Sequence, residues 1–553
     1  MNYQKRYQLW KQAKLPQELR EQLNNLTEAQ IKEHFYTDLS FGTGGIRGIM
    51  GVGTNRFNIY TLRKATQGLA NYLKANQLDS GVAIGFDNRK DSKLFAKEAA
   101  KVLAANEIKS YLFENLRPVG FVSFAVRHFK ASAGIMITAS HNPKEYNGYK
   151  VYNNVGTQIT LEQAKEITGF IEDVSDVFKV DVVENSLINT VDASFDELYL
   201  KEVKKVQIKD YPTKAKLVYS PLHGVGGTVI PQLLTDLGYP VFPYEPHLKP
   251  NPNFTNTKSA NPEDAIAYLN IDKYADSVAA ELILATDPDA DRLGVSVRHN
   301  GKYQLLDGNQ IAVIMLYYIL TTLEKIPSDA IVYKTNVTTD LIDLIAKSYN
   351  VKLTTTLTGF KFIGELAVLN KASTTFLFAC EESYGTLIKD FVGDKDAVQG
   401  TLLLAEIAAF TKSKGITLID YLDLIYEKYG YYKEGLKNIF VQGVEGKEKI
   451  TKLMTYFKEE PLVLENKTIL ILEDYIKETQ TNLKTGKVNK LQFPQSQMLK
   501  IIYVDQSWIA FRPSGTEPKL KVYYSLNASS QQELVLAFKK AEKEIDSYLN
   551  KLI

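Results

Sequence analysis

The chain has 553 residues, of which 44% are hydrophobic and 24% are charged, and its formal net charge is +2. This length exceeds what one hydrophobic core supports, so about three to five domains are expected. The small net charge excludes a generally basic or acidic surface that would favour nucleic acid or a membrane, and any attraction for an anionic ligand has to be local.

Cys380 is the single cysteine, which excludes an internal disulfide and a cysteine-based metal cluster. The stretch from Met1 to about Arg20 is charged and lacks an apolar core, so a secretory signal is not expected. The longest strongly apolar run, 311–320, is shorter than the roughly 20 residues that cross a bilayer. We therefore expect a soluble, cytoplasmic protein without nucleic-acid or membrane partners.

The predicted elements begin with a polar, helical stretch up to about residue 35. A glycine-rich run at 42–48 contains Arg47, and its glycines allow the backbone to lie close to a ligand or to turn sharply. A predicted helix at 59–75 and an apolar strand at 81–86 come next, and the strand ends in the polar run 87–92. This order of strand, polar loop and helix indicates α/β units with ligand groups at strand ends.

An apolar run at 134–138 predicts a buried strand. The run breaks into Ser140-His141-Asn142-Pro143, where the proline lacks the donor that a central strand needs. Ser140 is therefore predicted on a loop at a strand end, where rigid folds place reactive groups. The alternative is an Asn-Pro turn whose serine and asparagine bond their own backbone.

The same pattern restarts at the strand-like runs 217–220 and 331–335, which predicts three α/β domains of similar build. From about residue 435 the character changes, with strand-like pieces at 500–504 and 508–511. The chain closes with a predicted helix that begins with a capping box of Ser530 and Glu533. An apolar stripe along that helix predicts core packing.

Three carboxylates at alternate positions, Asp287, Asp289 and Asp291, converge on one side of an extended backbone. Packed together they repel unless a cation lies among them, and hard oxygen ligands on a short loop suit Mg²⁺. An EF-hand calcium loop does not fit, because Arg292 stands where that loop needs glycine and Arg298 where it needs its closing glutamate. The remaining alternative is a solvated acidic turn.

Three further stretches carry weaker signals. The run 511–519 combines Arg512 with hydroxyl and glycine residues and predicts a phosphate nest or an ordinary hairpin turn. The run 380–385 places carboxylates and a hydroxyl at a strand end, as sugar hydroxyls need, but taken alone this run favours a polar turn. Lys395 with Asp396 is either a catalytic pair or a surface ion pair, and composition alone favours the surface pair.

Taken together, these motifs resemble the α-D-phosphohexomutase superfamily from about residue 40 to the end of the chain. The loop at 138–143 is similar to the active-site phosphoserine loop of that family. The loop at 287–292 resembles its magnesium loop, 381–383 its sugar-binding loop, and 512–516 the phosphate loop of its fourth domain. The four motifs stand in the family's order.

Smaller matches agree with this resemblance. The run 42–47 is similar to the family's N-terminal loop, whose arginine lies at the active site, and 358–361 resembles the loop that helps to set sugar orientation. Lys395 falls where related phosphoglucomutases carry a proposed general base. The form of the run 381–385 looks more like the phosphoglucomutase and phosphopentomutase branch than the shorter phosphomannomutases.

The resemblance implies an α/β fold of four domains around a central cleft. Three similar α/β domains with mixed sheets would occupy residues 1–203, with the phosphoserine loop, 204–310, with the metal loop, and 311–432, with the sugar-binding loop. A smaller C-terminal α+β domain with the phosphate-binding loop would occupy residues 433–553.

The activity implied is that of a phosphoglucomutase-type isomerase, an intramolecular phosphotransferase of carbohydrate metabolism. Phosphomannomutase and phosphopentomutase activities by the same mechanism are the alternatives. The resemblance also implies a phosphoprotein with one Mg²⁺ per chain and with glucose 1,6-bisphosphate as activator and intermediate. Its partners would be small sugar phosphates, and the chain would be a monomer or a homodimer.

The residues implied by the resemblance fall into three groups. The catalytic residues would be Ser140, Lys395, Arg47 and His141. The metal ligands would be Ser140, Asp287, Asp289 and Asp291. The substrate-binding residues would be Arg292, Thr358, Gly359, Glu381, Ser383, Lys395, Arg512, Ser514, Gly515 and Thr516. Lys395 can accept a proton only if its pKa falls well below about 10.4.

Two rival functions use the same cleft. The first is a phosphosugar sensor without catalysis, which would not need a serine, three aspartates and a lysine together. The second is a phosphatase that uses Ser140 as nucleophile and water as the final acceptor. Release of phosphate, as opposed to isomerisation of the sugar phosphate, distinguishes the phosphatase from a mutase.

Overall fold

Four β-sheets organise the part of the chain that the structure describes. The structure is a computed structural model, and it describes residues 2–42, 44–440, 446–464, 467–513 and 519–551. Three of these sheets are mixed and are flanked by helices, and the fourth is antiparallel. The prediction of three α/β domains followed by an α+β domain is therefore confirmed. Within the described residues, no helix is both long enough and apolar enough to cross a membrane.

The first domain begins with three helices that share a small apolar core around the buried Trp10, Leu23 and Phe35. Its sheet runs in the order β1-β5-β4-β2-β3-β6, with β1 and β5 antiparallel to their neighbours. In chain order, its elements are α1 (Tyr3–Gln12), α2 (Gln17–Asn24), α3 (Glu28–Phe35), β1 (Gly45–Ile49), α4 (Ile59–Ala75), β2 (Val82–Phe86), α5 (Ser92–Ala105), β3 (Ser110–Phe113), α6 (Val119–His128), β4 (Ala133–Ile137), β5 (Tyr146–Tyr152), α7 (Leu161–Glu172), β6 (Ile188–Val191) and α8 (Phe195–Lys204).

The second domain has a mixed sheet in the order β11-β10-β9-β7-β8, in which β7 pairs in parallel with both β8 and β9. Every residue of β9 is buried, so the strand that leads into the aspartate loop is fixed by core packing on both faces. Its elements are β7 (Leu217–Ser220), α9 (Ile230–Asp236), β8 (Val241–Pro243), α10 (Glu245–Leu248), α11 (Ile271–Ser277), β9 (Leu282–Thr286), β10 (Leu293–His299) and β11 (Lys302–Leu306).

The third domain has a mixed sheet in the order β13-β12-β14-β15. Its first helix is capped by Asp307, whose carboxylate accepts from the backbone N–H of Gln310. Its elements are α12 (Gly308–Thr322), β12 (Ala330–Thr335), α13 (Leu341–Ser348), β13 (Lys352–Thr356), α14 (Phe360–Asn370), β14 (Thr375–Cys380), β15 (Thr386–Leu387), α15 (Ala397–Ser413) and α16 (Leu418–Tyr429).

The fourth domain is built on an antiparallel sheet in the order β16-β22-β21-β20-β17-β18-β19. Its elements are β16 (Tyr431–Phe440), α17 (Gly446–Glu459), β17 (Ile469–Asp474), β18 (Thr479–Asn482), β19 (Val488–Lys490), β20 (Leu499–Tyr503), β21 (Trp508–Pro513), β22 (Lys519–Ala528) and α18 (Gln531–Asn550). The predicted apolar stripe of the last helix is buried, which confirms its role in the core: Leu534, Phe538, Ala541, Ile545 and Leu549.

The predicted capping box of that last helix is only half present. Ser530 does accept from the backbone N–H of Glu533. The Glu533 carboxylate, however, accepts from the backbone N–H and the hydroxyl of Ser529 instead of returning to Ser530. A second hydroxyl one residue upstream therefore captures the carboxylate that the motif assigns to the cap.

Packing ties the first three domains together more tightly than the fourth. One continuous apolar cluster runs from Phe121 and Tyr199 of the first domain through Leu217 of the second to Ile311 of the third. The fourth domain has its own core around Phe511. It meets the third domain through a smaller cluster that includes Trp508. The sequence-based domain limits at 203, 310 and 432 remain predictions.

Candidate active site

A cleft of about 1560 Å³ opens between the four domains. Each domain contributes at least one strand-end or helix-end loop to its wall, as the carboxyl ends of strands in α/β sheets commonly do. The predicted site residues that line it in the described part of the chain are Arg47, His141, Arg292, Thr358, Gly359, Glu381, Ser383, Lys395 and Arg512.

Ser140 lies three residues beyond β4, and its backbone is left-handed, with φ of 50°. Few side chains adopt this conformation, which turns the chain sharply as it leaves the buried strand. The backbone N–H of Ser140 donates to the Thr138 hydroxyl at 2.8 Å. The Arg89 guanidinium fixes the other side of the loop by donating to the carbonyls of Ser140 and Asn142 at 2.6 and 2.5 Å.

The Ser140 hydroxyl contacts the second domain directly. Its Oγ donates to Oδ2 of Asp287 at 2.7 Å and lies 3.2 Å from Nδ1 of His141. Burial, together with the positive charges of Arg292 and Arg47, holds the pKa of His141 well below its usual value. His141 is therefore uncharged near neutral pH.

The three predicted aspartates lie together and are buried, with side-chain oxygens within 4.8 Å of one another. Asp287 Oδ1 accepts from the backbone N–H groups of Asp291 and Arg292 at 2.9 and 3.0 Å, which folds the loop over itself. Asp289 Oδ2 accepts from the Thr138 hydroxyl at 3.1 Å. The solvated acidic turn is therefore wrong, because the carboxylates face the interior.

Burial and neighbouring charge drive the pKa values of this cluster apart. Burial, and then the carboxylates of Asp289 and Asp291, raises the pKa of Asp287 well above its usual value. Burial also opposes ionisation of Asp291, but Lys150 and Lys395 outweigh it and hold the pKa of Asp291 well below its usual value. The cluster therefore contains one carboxyl that retains a proton easily and one that loses it easily.

The donor set fits a divalent cation. Among the described residues, Oδ1 of Asp289 and Oδ1 of Asp291 are buried without a hydrogen-bond partner. Oxygens of this kind cost free energy unless a donor or a cation faces them. Carboxylate oxygens together with a serine oxygen are the hard ligands that Mg²⁺ prefers. The residues present can therefore hold such an ion.

Two buried lysines face the aspartates. Lys150, on β5, lies 2.8 Å from Asp289 and 3.0 Å from Asp291. Lys395, from the loop before α15, lies 3.1 Å from Asp291. Burial would lower the pKa of Lys395, but the carboxylates around it, first Asp291 and then Asp394, raise it above its usual value. The condition for Lys395 as a proton acceptor is therefore not met, and Lys395 is protonated in this arrangement.

The favoured interpretation of Lys395 with Asp396 as a surface ion pair is wrong. Both residues are buried, and they face different neighbours. Asp396 caps α15 and accepts from the Tyr199 hydroxyl at 2.6 Å. Composition misled here because charged residues are rarely buried, and this pair is buried at the junction of two domains.

The predicted sugar-binding loop lies beside Lys395. Glu381 is buried, and its Oε1 lies 3.9 Å from the Lys395 Nζ. Burial is the main cause that raises the pKa of Glu381 to about 6. Ser383 lines the same wall. In the same domain, Thr358 donates to the Asn336 side chain at 3.2 Å, and Gly359, with φ of 119°, is the N-cap residue of α14.

The two predicted arginines near the serine have different surroundings. Arg47 is exposed on β1 and donates to the Asn142 side chain at 3.1 Å. Arg292 is largely buried between Glu263, which its guanidinium contacts, and Asp291, whose Oδ1 lies 3.9 Å away. Glu263 also lines the cleft and therefore holds Arg292 at the wall.

The phosphate loop is only partly described. Arg512 lies near the end of β21 and lines the cleft from the fourth domain. Ser514, Gly515 and Thr516 lie outside the described residues. The cationic side of this wall also includes Lys519 and Lys521 of β22.

The sequence reasoning missed Lys150, Arg89 and Asp394. Lys150 stands in the β5 segment next to the serine loop, and its position four residues after Tyr146 gave no separate signal. Arg89 lay in a strand-end run that was noted only for its polarity. Asp394 is buried and accepts from the Tyr152 hydroxyl at 2.8 Å and from Gln158 at 2.7 Å. The adjacency of Asp394 to Lys395 is the signal that could have found it.

The comparison with known proteins also divides the chain into four consecutive domains. Four regions match the phosphoglucomutase/phosphomannomutase family in order. They are alpha/beta/alpha domain I at residues 38–177, domain II at 197–301, domain III at 307–429 and the C-terminal domain at 463–537.

Solved structures share the fold. A phosphoglucomutase/phosphomannomutase family protein from Burkholderia thailandensis superposes with a TM-score of 0.67 at 17% identity, covering 92% of this chain and 98% of that one. The open form of the Paramecium phosphoglucomutase pp63/parafusin superposes with a TM-score of 0.65 at 19% identity, covering 90% of this chain and 91% of that one.

Curated relatives are more similar in sequence. A phosphoglucomutase of Staphylococcus saprophyticus is 35% identical over 96% of this chain and 99% of its own length. A phosphoglucomutase of Staphylococcus aureus is 36% identical over 90% of this chain and 92% of its own. With the four domains matched in order and this identity over most of its length, the chain belongs to the phosphoglucomutase/phosphomannomutase family, within the α-D-phosphohexomutase superfamily.

Proposed function

We propose that this chain is a phosphoglucomutase, which interconverts α-D-glucose 1-phosphate and glucose 6-phosphate through a phosphorylated Ser140 and a bisphosphorylated sugar. One observation carries the proposal. The Ser140 hydroxyl lies on a fixed loop, 2.7 Å from Asp287, in a buried cluster of carboxylates beside a cleft that four domains line. The name shared by curated relatives at 35% and 36% identity supports glucose as the sugar.

The reaction consists of two phosphoryl transfers of opposite direction. In the first, the bond between Ser140 Oγ and phosphorus breaks as a free sugar hydroxyl oxygen forms a new bond to phosphorus, and the proton of that hydroxyl passes to Ser140 Oγ, which leaves as a hydroxyl. In the second, Ser140 Oγ forms a bond to the other phosphorus of the bisphosphorylated sugar, the bond between that phosphorus and the sugar oxygen breaks, and the serine proton passes to the sugar oxygen. Such transfers need positioning and charge neutralisation more than covalent chemistry by the protein. Arg89 supplies positioning, because it holds the carbonyl groups on both sides of His141.

Asp287, Asp289, Asp291 and Ser140 are the residues that would hold Mg²⁺. When bound, the ion would offset the negative charge that develops on the phosphoryl oxygens. Lys150 and Lys395 already place two positive charges against the same carboxylates. Their ammonium groups keep the carboxylate cluster from repelling an incoming phosphate.

The walls of the cleft suit a substrate with a phosphate at each end. Arg512, with Ser514, Gly515 and Thr516, would hold the phosphate that is not reacting. Glu381 and Ser383 would accept from and donate to sugar hydroxyls, and Thr358 and Gly359 also line this part of the cleft. Lys395 Nζ, which carries a proton here, would give that proton to an oxygen that gains charge. Glucose 1,6-bisphosphate would rephosphorylate chains that have lost the phosphate from Ser140.

The substrate is tested by comparing rates on glucose 1-phosphate, mannose 1-phosphate and ribose 1-phosphate. We expect glucose 1-phosphate to give the highest kcat/KM, with no stoichiometric release of inorganic phosphate. A higher kcat/KM on mannose or ribose 1-phosphate would make the chain a phosphomannomutase or phosphopentomutase. Release of one phosphate per turnover would make it a phosphatase, and binding without turnover would make it a sensor.

The carrier role of Ser140 has its own test. Purified protein should contain phosphate that maps to Ser140 by mass spectrometry, and catalytic amounts of glucose 1,6-bisphosphate should raise its activity. Ser140→Ala should lower kcat by at least about 10³-fold. The variant should still bind the sugar phosphate, because the cleft walls remain. Normal isomerisation by the alanine variant would reject the phosphoserine mechanism.

A further inference from the structure

A second cavity, of about 530 Å³, lies between the first and third domains. Its first-domain wall comes from the segments 77–80 and 127–132, and its third-domain wall from α14 and the segment 387–393. In the part of the chain that the structure describes, no residue lines both this cavity and the active-site cleft. The volume is in the range of sites that take small organic ligands.

The wall of this cavity combines apolar surface with positive charge. Leu78, Val368 and Leu387 supply the apolar part. Lys371 lies 3.7 Å from Asp390 and is offset by it. The remaining charged groups of the wall are Arg127, Lys130 and Asp79, so three cationic side chains line the cavity against two carboxylates, and the Asp390 carboxylate also acts on Arg127. The cavity is therefore suited to a ligand with an apolar body and a negative group.

Arg127 is held in place from both domains. Its Nε donates to the carbonyl of Val155 at 2.7 Å, and one Nη donates to the carbonyl of Asp390. Among the described residues, no carboxylate lies within ion-pair distance of Arg127 or Lys130. A guanidinium that is fixed by carbonyls and lacks an ion pair is pre-organised to receive an anionic group.

The cavity wall continues directly into the active site along two segments. Helix α14 presents Ile363 and Gly364 to the cavity, while Lys361 and Gly359, at its N-terminal end, line the cleft. The segment 387–393 leads within two residues to Lys395, which faces Asp291. A ligand in the cavity therefore contacts two elements that also carry cleft residues.

We propose that this cavity is a regulatory site for a small organic acid, with an apolar body packed on α14 and one anionic group bound by Arg127 and Lys130. Occupation fixes α14 and the segment 387–393 against the first domain, and so changes how Thr358, Glu381 and Lys395 meet the sugar. Binding itself is independent of the proposed function, whereas the regulatory effect rests on it. Coupling of this kind between two sites commonly changes affinity about 5- to 150-fold.

The binding test uses 8-anilinonaphthalene-1-sulfonate, an aromatic anion, on the full chain, with fluorescence and calorimetry as readouts. We expect about one probe per chain, and saturating glucose 1,6-bisphosphate should change its affinity only by the coupling between the two sites, without displacing it. Lys130→Glu should weaken binding about 5-fold or more, and Ala367→Phe, which fills the cavity, should abolish it. Lys165→Glu, an exposed position on α7 away from the cavity, is the matched control and should bind as the wild type does.

The outcomes separate this proposal from the proposed function. Unchanged binding in Lys130→Glu and Ala367→Phe, or displacement of the probe by the bisphosphate, overturns the site. If circular dichroism shows that Ala367→Phe does not fold, the site is decided by comparing the probe affinity of Lys130→Glu with that of the control Lys165→Glu. The regulatory part predicts that saturating probe changes the KM for glucose 1-phosphate at least about 2-fold in the wild type but not in Lys130→Glu. An unchanged KM with the probe bound overturns that part, whereas a chain without mutase activity leaves the binding result standing.

Discussion

At the residue scale, Asp289 shows why the cluster of carboxylates needs a positive partner. One of its oxygens accepts from Thr138 and Lys150, and the other is buried without a donor. Asp291 is arranged in the same way: one oxygen forms ion pairs with Lys150 and Lys395, and the other has no hydrogen bond. Two buried carboxylate oxygens without a hydrogen-bond donor, in a cluster whose side-chain oxygens lie within 4.8 Å of one another, fit a bound metal ion.

Asp289→Asn tests the metal assignment at this residue. The amide keeps the shape of the carboxylate but removes one ligand charge, so Mg²⁺ affinity and kcat should each fall about 10- to 100-fold. Wild-type activity should disappear with EDTA and return with Mg²⁺. Asp276→Asn, at an exposed aspartate of the same domain, is the control and should leave both unchanged. Full wild-type activity after exhaustive chelation would reject the metal site.

Arg512→Ala tests the phosphate loop. Loss of a bidentate, charge-assisted contact should raise KM about 10-fold or more, while the melting temperature stays within about 1 °C because a strand-end side chain adds little to the core. Arg298→Ala, at a partly exposed arginine that pairs with Asp276, should leave KM unchanged. Unaltered kinetics in the Arg512 variant would remove this residue from the site.

The sequence predicted the position of a residue best where its chemistry is unusual for its place in the pattern. Ser140 and the alternating aspartates follow fully buried strands, as predicted, and their roles remain predictions. Lys150 was not found, because a lysine inside a strand normally reaches solvent, and nothing local shows that this one meets carboxylates of another domain. Lys395 was found by resemblance, but its protonation depends on neighbours distant in sequence.

At the element scale, the alternation of strands and helices along the chain was predicted from the sequence. The contacts between domains were not. The helix predicted at 59–75 is α4, with the same limits, because Asn58 caps it and its apolar face is regular. The strand β16 was not separately predicted. Its Glu434 lies near Asp307, the cap of α12, across the junction of the third and fourth domains.

Glu434→Gln tests the electrostatic cost of that junction. Burial, followed by the charge of Asp307, raises the pKa of Glu434 from 4.5 to about 8. Between these pH values the unfolded chain binds fewer protons than the folded chain, so folded stability falls as pH rises. The neutral glutamine removes this loss, and its carbonyl can still accept from Ser525, which lies 2.9 Å from Glu434.

The difference in melting temperature between Glu434→Gln and the wild type should therefore be near zero at pH 5 and about 1–3 °C in favour of the variant at pH 8. Differential scanning calorimetry at both pH values measures it. Glu459→Gln, at an exposed glutamate of α17, should show no such dependence on pH. An equal difference at pH 5 and pH 8 would mean that Glu434 is ionised alike in the folded and unfolded chains.

At the scale of the whole molecule, the serine, the aspartates and Lys395 come together only where three domains meet, and the fourth domain adds Arg512 to the cleft wall. Ser140 comes from the first domain, Asp287 from the second and Lys395 from the third, and each is buried at the junction. The sequence predicts the loops within each domain, but it does not give the docking of one domain on another. That docking depends on close contacts such as that of Gly120 with Asp396 and Tyr199.

Gly120→Ala tests how far the docking of domains controls catalysis. Gly120 is the second residue of α6, and a methyl group there would lie 3.0 Å from Oδ2 of Asp396 and 2.9 Å from the Tyr199 hydroxyl. Both neighbours are buried and hydrogen-bonded to each other, so the Asp396 and Tyr199 side chains must move to make room, at a cost of about 1–3 kcal/mol. Because Asp396 directly follows Lys395, we expect kcat to fall about 10-fold with a smaller change in KM.

Gly169→Ala is the matched control for this substitution. Gly169 lies within α7 of the same domain, and an added methyl group meets no atom within 4 Å. Alanine favours the helix there by about 0.5–1 kcal/mol, so this variant should melt slightly higher and keep wild-type kcat. Calorimetry and steady-state rates on both variants decide the question. If Gly120→Ala lowers the melting temperature but leaves kcat unchanged, the active site does not depend on this contact, and the position of Lys395 is fixed by its own ion pairs with Asp291 and Asp394.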